Sequence, residues 1–332
     1  MEADRRAALL GAKLGALVHD GWSGASGRAG TFPDGATLVD GDRGWVLVGD
    51  DGARRLGSAL AWARQQRAGE LHLLAEDPAV AGVLARRAGR FARPPQVWVV
   101  DGRSVQPAEP APVPVASVPP PSAELFRPVL ADAGLEVVVE QGTLLAEVNG
   151  LEVARVVPSG GDGDARMEVG VGRFDREAFA MINADLRDTE ALAKAVGIVR
   201  SIRRPDSPRH QLNQLAPERW LRADHVADPS PLGLSSLEPV EPVLPRQNLR
   251  DRAVASAIGE GADGRPVLVT FSSGVDLELV PAAADDRAMH APDARLVLAV
   301  PARDVHPVTE ALAAALTEPA EVVAVEGGWQ GR

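Results

Sequence analysis

The sequence predicts a mixed α/β protein of three small modules, the first βαβαβ with a parallel sheet, the second and third with antiparallel hairpins plus helices. Three observations predict it. Short apolar runs alternate with helical stripes in the first third of the chain. Gln-Gly and Asn-Gly dipeptides separate alternating runs further on. Two Pro-rich stretches divide the 332 residues into parts of common domain size. Repeated proline imposes extended backbone and removes ladder donors, so these stretches set the expected boundaries. They give an N-terminal domain over 1–103, a linker over 104–121, a middle domain over 122–226, a linker over 227–247 and a C-terminal domain over 248–332.

In the first part, Met1 to Asp20 reads as an amphipathic helix. Glu2, Asp4 and Lys13 interrupt its apolar run too early for a signal peptide or a membrane span. GWVLV, ELHLLAE and QVWVV are the strands of the βαβαβ unit. The helices between them are ARRLGSALAWARQQ, with Leu56, Leu60 and Ala63 on one face, and PAVAGVLARRAGRF, opened by Asp77 as cap and Pro78 in the first turn. The second part opens with a helix from Ser122 to Ala133, ended by Gly134. LEVVVEQGTLLAEVNGLEVARVV follows as an antiparallel meander turning at Gln141-Gly142 and Asn149-Gly150, and MEVGVGRF adds a strand. A helix after Asp188 or Thr189 points Leu192, Val196, Val199 and Ile202 inward and stops before Pro205. In the third part PVLVTF and VDLELVP form a hairpin around Ser272-Ser273-Gly274. RLVLAVP, a helix from about Pro307 to Leu316 and EVVAVEG complete it.

The composition sorts function classes. Apolar residues make up 45%, enough for packed cores, and the absence of cysteine excludes disulfides, thiolate zinc sites and a Cys nucleophile. A bias toward Ala, Gly, Pro, Val, Leu and Arg, with no Tyr, reads as the codon usage of a high-GC bacterium. A net charge of −11 disfavours broad binding to nucleic acid or acidic membrane, and a cytoplasmic location is expected. The local exception is a basic stretch from Arg200 to Arg222. Its Arg203, Arg204, Arg209, Arg219 and Arg222, beside Trp220, could contact phosphates and stack on a base, or could dock Trp220 between domains.

Other motifs have plain structural readings. Gly259, Gly261 and Gly264 match G-x-G-x-x-G, but a strand follows where a dinucleotide loop needs a helix. GWSGASGRAG reads as a connector. The six histidines include no helical pair, and His72 reads as a structural residue of a strand. No G-x-S-x-G appears. Glu152, Glu168, Arg173, Asp175 and Arg176 fit the polar positions of alternating strands and a helix start.

Asp276 and Glu278 are the candidate metal ligands, since two carboxylates two residues apart on a strand share a face. With them, the order hairpin, strand, helix, strand over Val267–Glu326 resembles the PD-(D/E)xK nuclease-like fold. That resemblance implies Mg²⁺ or Mn²⁺ and catalytic candidates Asp276, Glu278, Asp304 and Arg303. RLVLAVP is apolar where that family carries its acid-x-Lys pair. The segments HQLNQLAPERWLRADHV, LEVARVV, MEVGVGRFDREAF and GVDLELVPAAADDR resemble an uncharacterised family of conserved hypothetical proteins of actinobacteria.

Three functions are carried forward. The leading expectation is a non-enzymatic interaction or scaffold protein with a protein partner and no cofactor. The alternative is a divalent-metal nuclease or phosphodiesterase, degenerate in its second ligand strand. The third is a small phosphorylated ligand at the carboxyl ends of GWVLV and ELHLLAE.

Overall fold

The computed structural model describes residues 2–49, 51–160, 163–172, 176–178, 181, 187–204, 207, 210–246 and 248–326. The protein is mixed α/β, with three sheets that combine parallel and antiparallel strands. The chain separates into two compact units. The first comprises Met1–Val113, Leu277–Asp285 and His306–Ala320; the second comprises Pro114–Asp276, Asp286–Val305 and the residues from Glu321. Among the described residues no helix is long and apolar enough to cross a membrane.

In the first unit, the βαβαβ segment folds as β3 (Arg43–Leu47), α2 (Leu56–Gln66), β4 (Glu70–Ala75), α3 (Pro78–Ala88) and β5 (Gln96–Asp101). The three strands are parallel neighbours. Asp77 caps α3 as its spacing predicts, accepting the Ala79 N–H at 2.8 Å, and Pro78 follows at the first helical position. Antiparallel strands extend the sheet beyond the expected core: β1 (Arg28–Phe32) and β2 (Gly35–Asp40) on one side, β6 (Ser104–Pro107) on the other. So the end of GWSGASGRAG is sheet edge rather than connector. The helix α1 (Glu2–Gly21) lays Leu14, Leu17 and Val18 over Leu38, Trp45, Leu47 and Leu74 of that sheet.

The second unit holds the other two sheets. The expected helix over 122–133 is two short ones, α4 (Pro121–Glu124) and α5 (Arg127–Asp132). After them β7 (Glu136–Glu140), β8 (Thr143–Val148), β9 (Leu151–Pro158) and β10 (Ala165–Val169) form an antiparallel meander. Gln141-Gly142 and Asn149-Gly150 all take positive φ (50°, 72°, 47° and 70°), the twist that two-residue hairpin turns require. One face buries Leu144, Ala146, Val153 and Val156 against Leu192, Val196 and Val199 of α6 (Asp188–Ile202). On the other side lies α7 (Pro217–Ala227). Its Leu221 also joins the core of the third sheet with Leu237, Ala257, Val269 and Phe271.

That third sheet runs β11 (Leu234–Val240), β12 (Ala255–Gly261), β13 (Pro266–Phe271), β14 (Arg295–Pro301) and β15 (Glu321–Val325). The strand β11 lies inside the stretch expected to be a linker. Its Pro239 is tolerated because β11 is an edge strand with one ladder side unpaired. The hairpin is β12–β13, with GEGADG as its turn. The Gly261 N–H donates to Arg265 O at 2.9 Å, and Gly264 takes φ 74°. VDLELVP is not the expected second hairpin strand; Leu279–His290 is a helix, α8. Since β13 and β14 are parallel, the chain between them must cross over, and a helix is the usual way. Buried Leu279, Val280, Ala283 and Ala284 make the helical stripe, and Pro281 sits in the first turn, where its missing N–H costs nothing. A second crossover through α9 (Pro307–Ala314) leads to parallel β15.

Candidate functional site

The proposed metal ligands are distributed by this correction. Glu278 belongs to the first unit, and its carboxylate does structural work there. Its Oε1 accepts the N–H groups of Gly57 (2.6 Å) and Ser58 (3.3 Å) at the start of α2, and Oε2 pairs with Arg87 Nη1 at 3.2 Å. The carboxylate thus satisfies orphan donors at the positive end of a helix and neutralises a buried guanidinium. A side chain at position 57 would run into Leu277 O, so glycine is required for that approach. The neighbouring Arg86 forms a bidentate pair with buried Asp285 at 2.9 and 2.8 Å. Asp276, Arg303 and Asp304 belong to the second unit. Asp304 accepts the Gly274 N–H at 2.8 Å, and Arg303 Nε lies 3.9 Å from it. Among the described residues no group of three or more His, Asp or Glu side chains could hold a metal ion. Millimolar Mg²⁺ or Mn²⁺ is therefore expected to leave the melting temperature unchanged, while Glu278→Ala lowers stability by about 2–3 kcal/mol. A thermal melt of both proteins with and without metal checks both halves. A metal-dependent rise lost in the mutant would restore the ligand reading.

The basic stretch is buried rather than displayed. Trp220, Arg219, Arg222 and Arg203 are all buried, and Arg204 is exposed; Arg209, Arg173 and Asp175 lie outside the described residues. A proline at the first helical position starts α7, and Arg219 and Arg222 lie three apart, on one face. That face meets carboxylates. The two-residue turn at Gln141-Gly142 sets Glu136 of β7 directly opposite Glu147 of β8, an arrangement that like charges disfavour. The two arginines compensate it. Arg219 bonds Glu147 Oε1 and both oxygens of Glu140, each at 2.6 Å, and Arg222 Nη2 bonds Glu147 Oε2 at 2.8 Å.

Burial opposes the charge on Glu147, but Arg219 and Arg222 outweigh it and hold the carboxyl below its usual range. Glu136 keeps only a distant guanidinium, Arg222 Nε at 3.9 Å. Burial therefore dominates, Arg222 offsets part of it, Glu147 adds to it, and the carboxyl is pushed up to about 7. Arg203 completes the cluster: its guanidinium donates to the carbonyls of Asn149, Leu212, Leu215 and Ala216 at 2.7–3.1 Å and lies over the Trp220 ring, 4.5 Å from its centroid. Each of these guanidiniums binds α7 or its approach to the second sheet, which leaves none of the three for a phosphate.

Glu152 likewise binds Arg155 (2.6 and 2.7 Å) and Arg176 (2.8 Å), and Glu168 pairs with Arg166 at 2.6 Å. His72 is buried in its strand with its ring stacked on Trp45, centroids 5.4 Å apart. Its Nδ1 accepts Trp98 Nε1–H at 3.2 Å, and burial lowers its pKa. At the carboxyl ends of β3 and β4, the expected place for a phosphorylated ligand, the ladder runs one bond further, with the Val48 N–H donating to Leu74 O at 2.9 Å.

What the second unit does display is the Pro-rich segment. Ala108 to Pro120 forms neither helix nor strand. From Pro114 on it is held at Ser117, whose N–H and hydroxyl both bond the carboxylate of buried Glu241, the hydroxyl at 2.7 Å. The N–H groups of Gln141 and Gly142, in the β7–β8 turn, reach Glu241 and the Ser117 hydroxyl at 2.7 Å. Pro119 is buried, and Pro120 has φ −63° and ψ 150°, close to polyproline II. Val115 and Val118 lie three apart in the segment, the spacing of one polyproline turn, and Pro121 follows as the first residue of α4. All three are exposed, Val115 by 90% and Val118 by 81%. No proline spacing alone marks this pair; the signal was the repeat of apolar residues every third position. Compared with known proteins, the chain matches no family model, no curated protein and no solved structure.

Proposed function

We propose that this chain is an interaction protein that presents Pro114–Pro121 to a partner carrying a groove lined by Trp and Tyr rings. The observation that supports the reading is the exposure of Val115 and Val118, three apart, on a segment without helix or strand that Glu241 anchors at Ser117. Large apolar side chains this exposed are left unburied at a cost, and an extended, pre-ordered ligand loses little entropy on binding. Polyproline-reading domains use this geometry: their aromatic grooves take apolar residues from one edge of a three-fold helix. Of the residues a catalytic reading would need, Glu278 is engaged at the start of α2 and with Arg87, and Asp304 accepts the Gly274 N–H.

The test is titration of the full chain into a panel of purified polyproline-reading domains with Trp- and Tyr-lined grooves, followed by chemical-shift changes in the groove. Wild type is expected to bind at least one in the micromolar to sub-millimolar range, and Val115→Asp plus Val118→Asp to weaken that binding at least tenfold without altering the melt. Equal binding by the double variant, or silence across the whole panel, would rule the reading out.

A further inference from the structure

We infer that a cavity in the second unit is a binding site for a small amphipathic monocarboxylate. The cavity encloses about 640 Å³, within the range of about 300–1,000 Å³ typical of small-molecule sites. Its body is apolar. Buried Ala195 and Val199 and exposed Ile198 of α6 form one wall, and Val171, Leu212 and Leu215 the others. Two features define this shape. Arg203 holds the carbonyls of Leu212 and Leu215 at 2.7 and 2.9 Å, which fixes the segment 211–215 while its two leucines pack on the core that α6 shares. Ile198 stays 46% exposed at the mouth, a large apolar side chain with a wet surface beside an apolar hollow.

The polar groups lining the cavity set the chemistry of the ligand head. They are the side chains of Gln211, Gln214 and Arg250. Among the described residues the Arg250 guanidinium makes no hydrogen bond or ion pair, and neither amide side chain is engaged. Among the described residues no carboxylate lines the cavity, although the chain carries 46 Asp and Glu against 35 Lys and Arg. One positive charge with two neutral amide donors, all three on exposed residues at the rim, matches a single negative charge with two acceptor oxygens. A phosphate dianion would leave charge unbalanced, and a cation would meet Arg250 directly. The apolar walls then take a hydrocarbon body. The inference rests on this cavity alone and stands or falls independently of the Pro-rich segment.

The experiment is calorimetric titration of the full chain with dodecanoate, decanoate, dodecanol and dodecyltrimethylammonium, each below its micellar concentration. One-to-one, saturable binding of dodecanoate is expected. Removing two methylenes should weaken it about fifteenfold, from roughly fourfold per buried CH₂. Arg250→Gln should reduce dodecanoate to the affinity of dodecanol while leaving dodecanol unchanged, and Ile198→Asp should weaken both. Dodecanoate that fails to saturate, affinity indifferent to chain length, equal binding of the cationic probe, or an Arg250→Gln protein that binds dodecanoate as wild type does would each overturn the assignment.

Discussion

Replacing Glu147 with alanine is expected to cost about 3–5 kcal/mol, the largest single loss in the second unit. The side chain is fully buried and receives Arg219 at 2.6 Å and Arg222 at 2.8 Å, so its removal leaves buried Arg222 with only the distant Glu136 and Arg219 with Glu140 alone. A buried ion pair contributes little beyond a good apolar packing, but breaking one leaves an uncompensated charge. Chemical denaturation of the full chain should show the midpoint falling with little change in slope. Glu147→Gln keeps the shape and should lose somewhat less. A loss below about 1 kcal/mol, the scale of an exposed pair, would mean that α7 is not held by these charges.

The second large effect has the opposite sign. Glu136 titrates at about 7 in the folded protein against an ordinary value of 4.5. Between those values the folded state keeps a proton that the unfolded state has released, so stability falls as pH rises through that window. Below 4.5 both states are protonated and the penalty vanishes; above 7 it is complete, at about 3 kcal/mol. Glu136→Gln is therefore expected to stabilise the protein by up to that amount at pH 8, the gain fading as pH drops toward 4.5. In the Glu147→Gln background the repulsion is gone and Arg222 is freed, so the window should narrow. Denaturation curves of wild type and Glu136→Gln across pH 4.5–8 decide it, and a difference that does not change with pH would refute the assignment.

The same cluster marks how far the sequence could be read. The Gln141-Gly142 turn was legible, and a two-residue turn fixes register, so the opposition of Glu136 and Glu147 followed from residues already in view. What local pattern cannot supply is the destination of Arg219 and Arg222, because their partners are some 75 positions earlier in the chain. The run VDLELVP misled for a different reason: its period of two is genuine over five residues, Val275 to Leu279, and only the parallel pairing of β13 with β14 forces the following chain into a helix. Strands β1 and β11 were missed because Gly, Thr and Pro mask edge strands, where propensity is weak and pairing on one side suffices; β2, paired on both sides, was missed because its run GATLVD is short and opens on Gly. The strands and helices from GWVLV to QVWVV were read correctly since caps, stripes and runs agree there.

The first unit is discontinuous in the chain: it needs Leu277–Asp285 and His306–Ala320 as well as the residues up to Val113. Arg86 and Arg87 wait for Asp285 and Glu278, and the Phe91 backbone for Leu316. During synthesis the amino-terminal sheet thus leaves the ribosome with two guanidiniums unneutralised, and the missing segments arrive roughly two hundred residues later, about 10 to 40 s at roughly 5–20 residues per second. Throughout that interval the nascent sheet is an incomplete fold, open to chaperones and proteases. A nascent chain halted near Val113 should accordingly be digested far faster than one released at full length, though both contain every strand of that sheet.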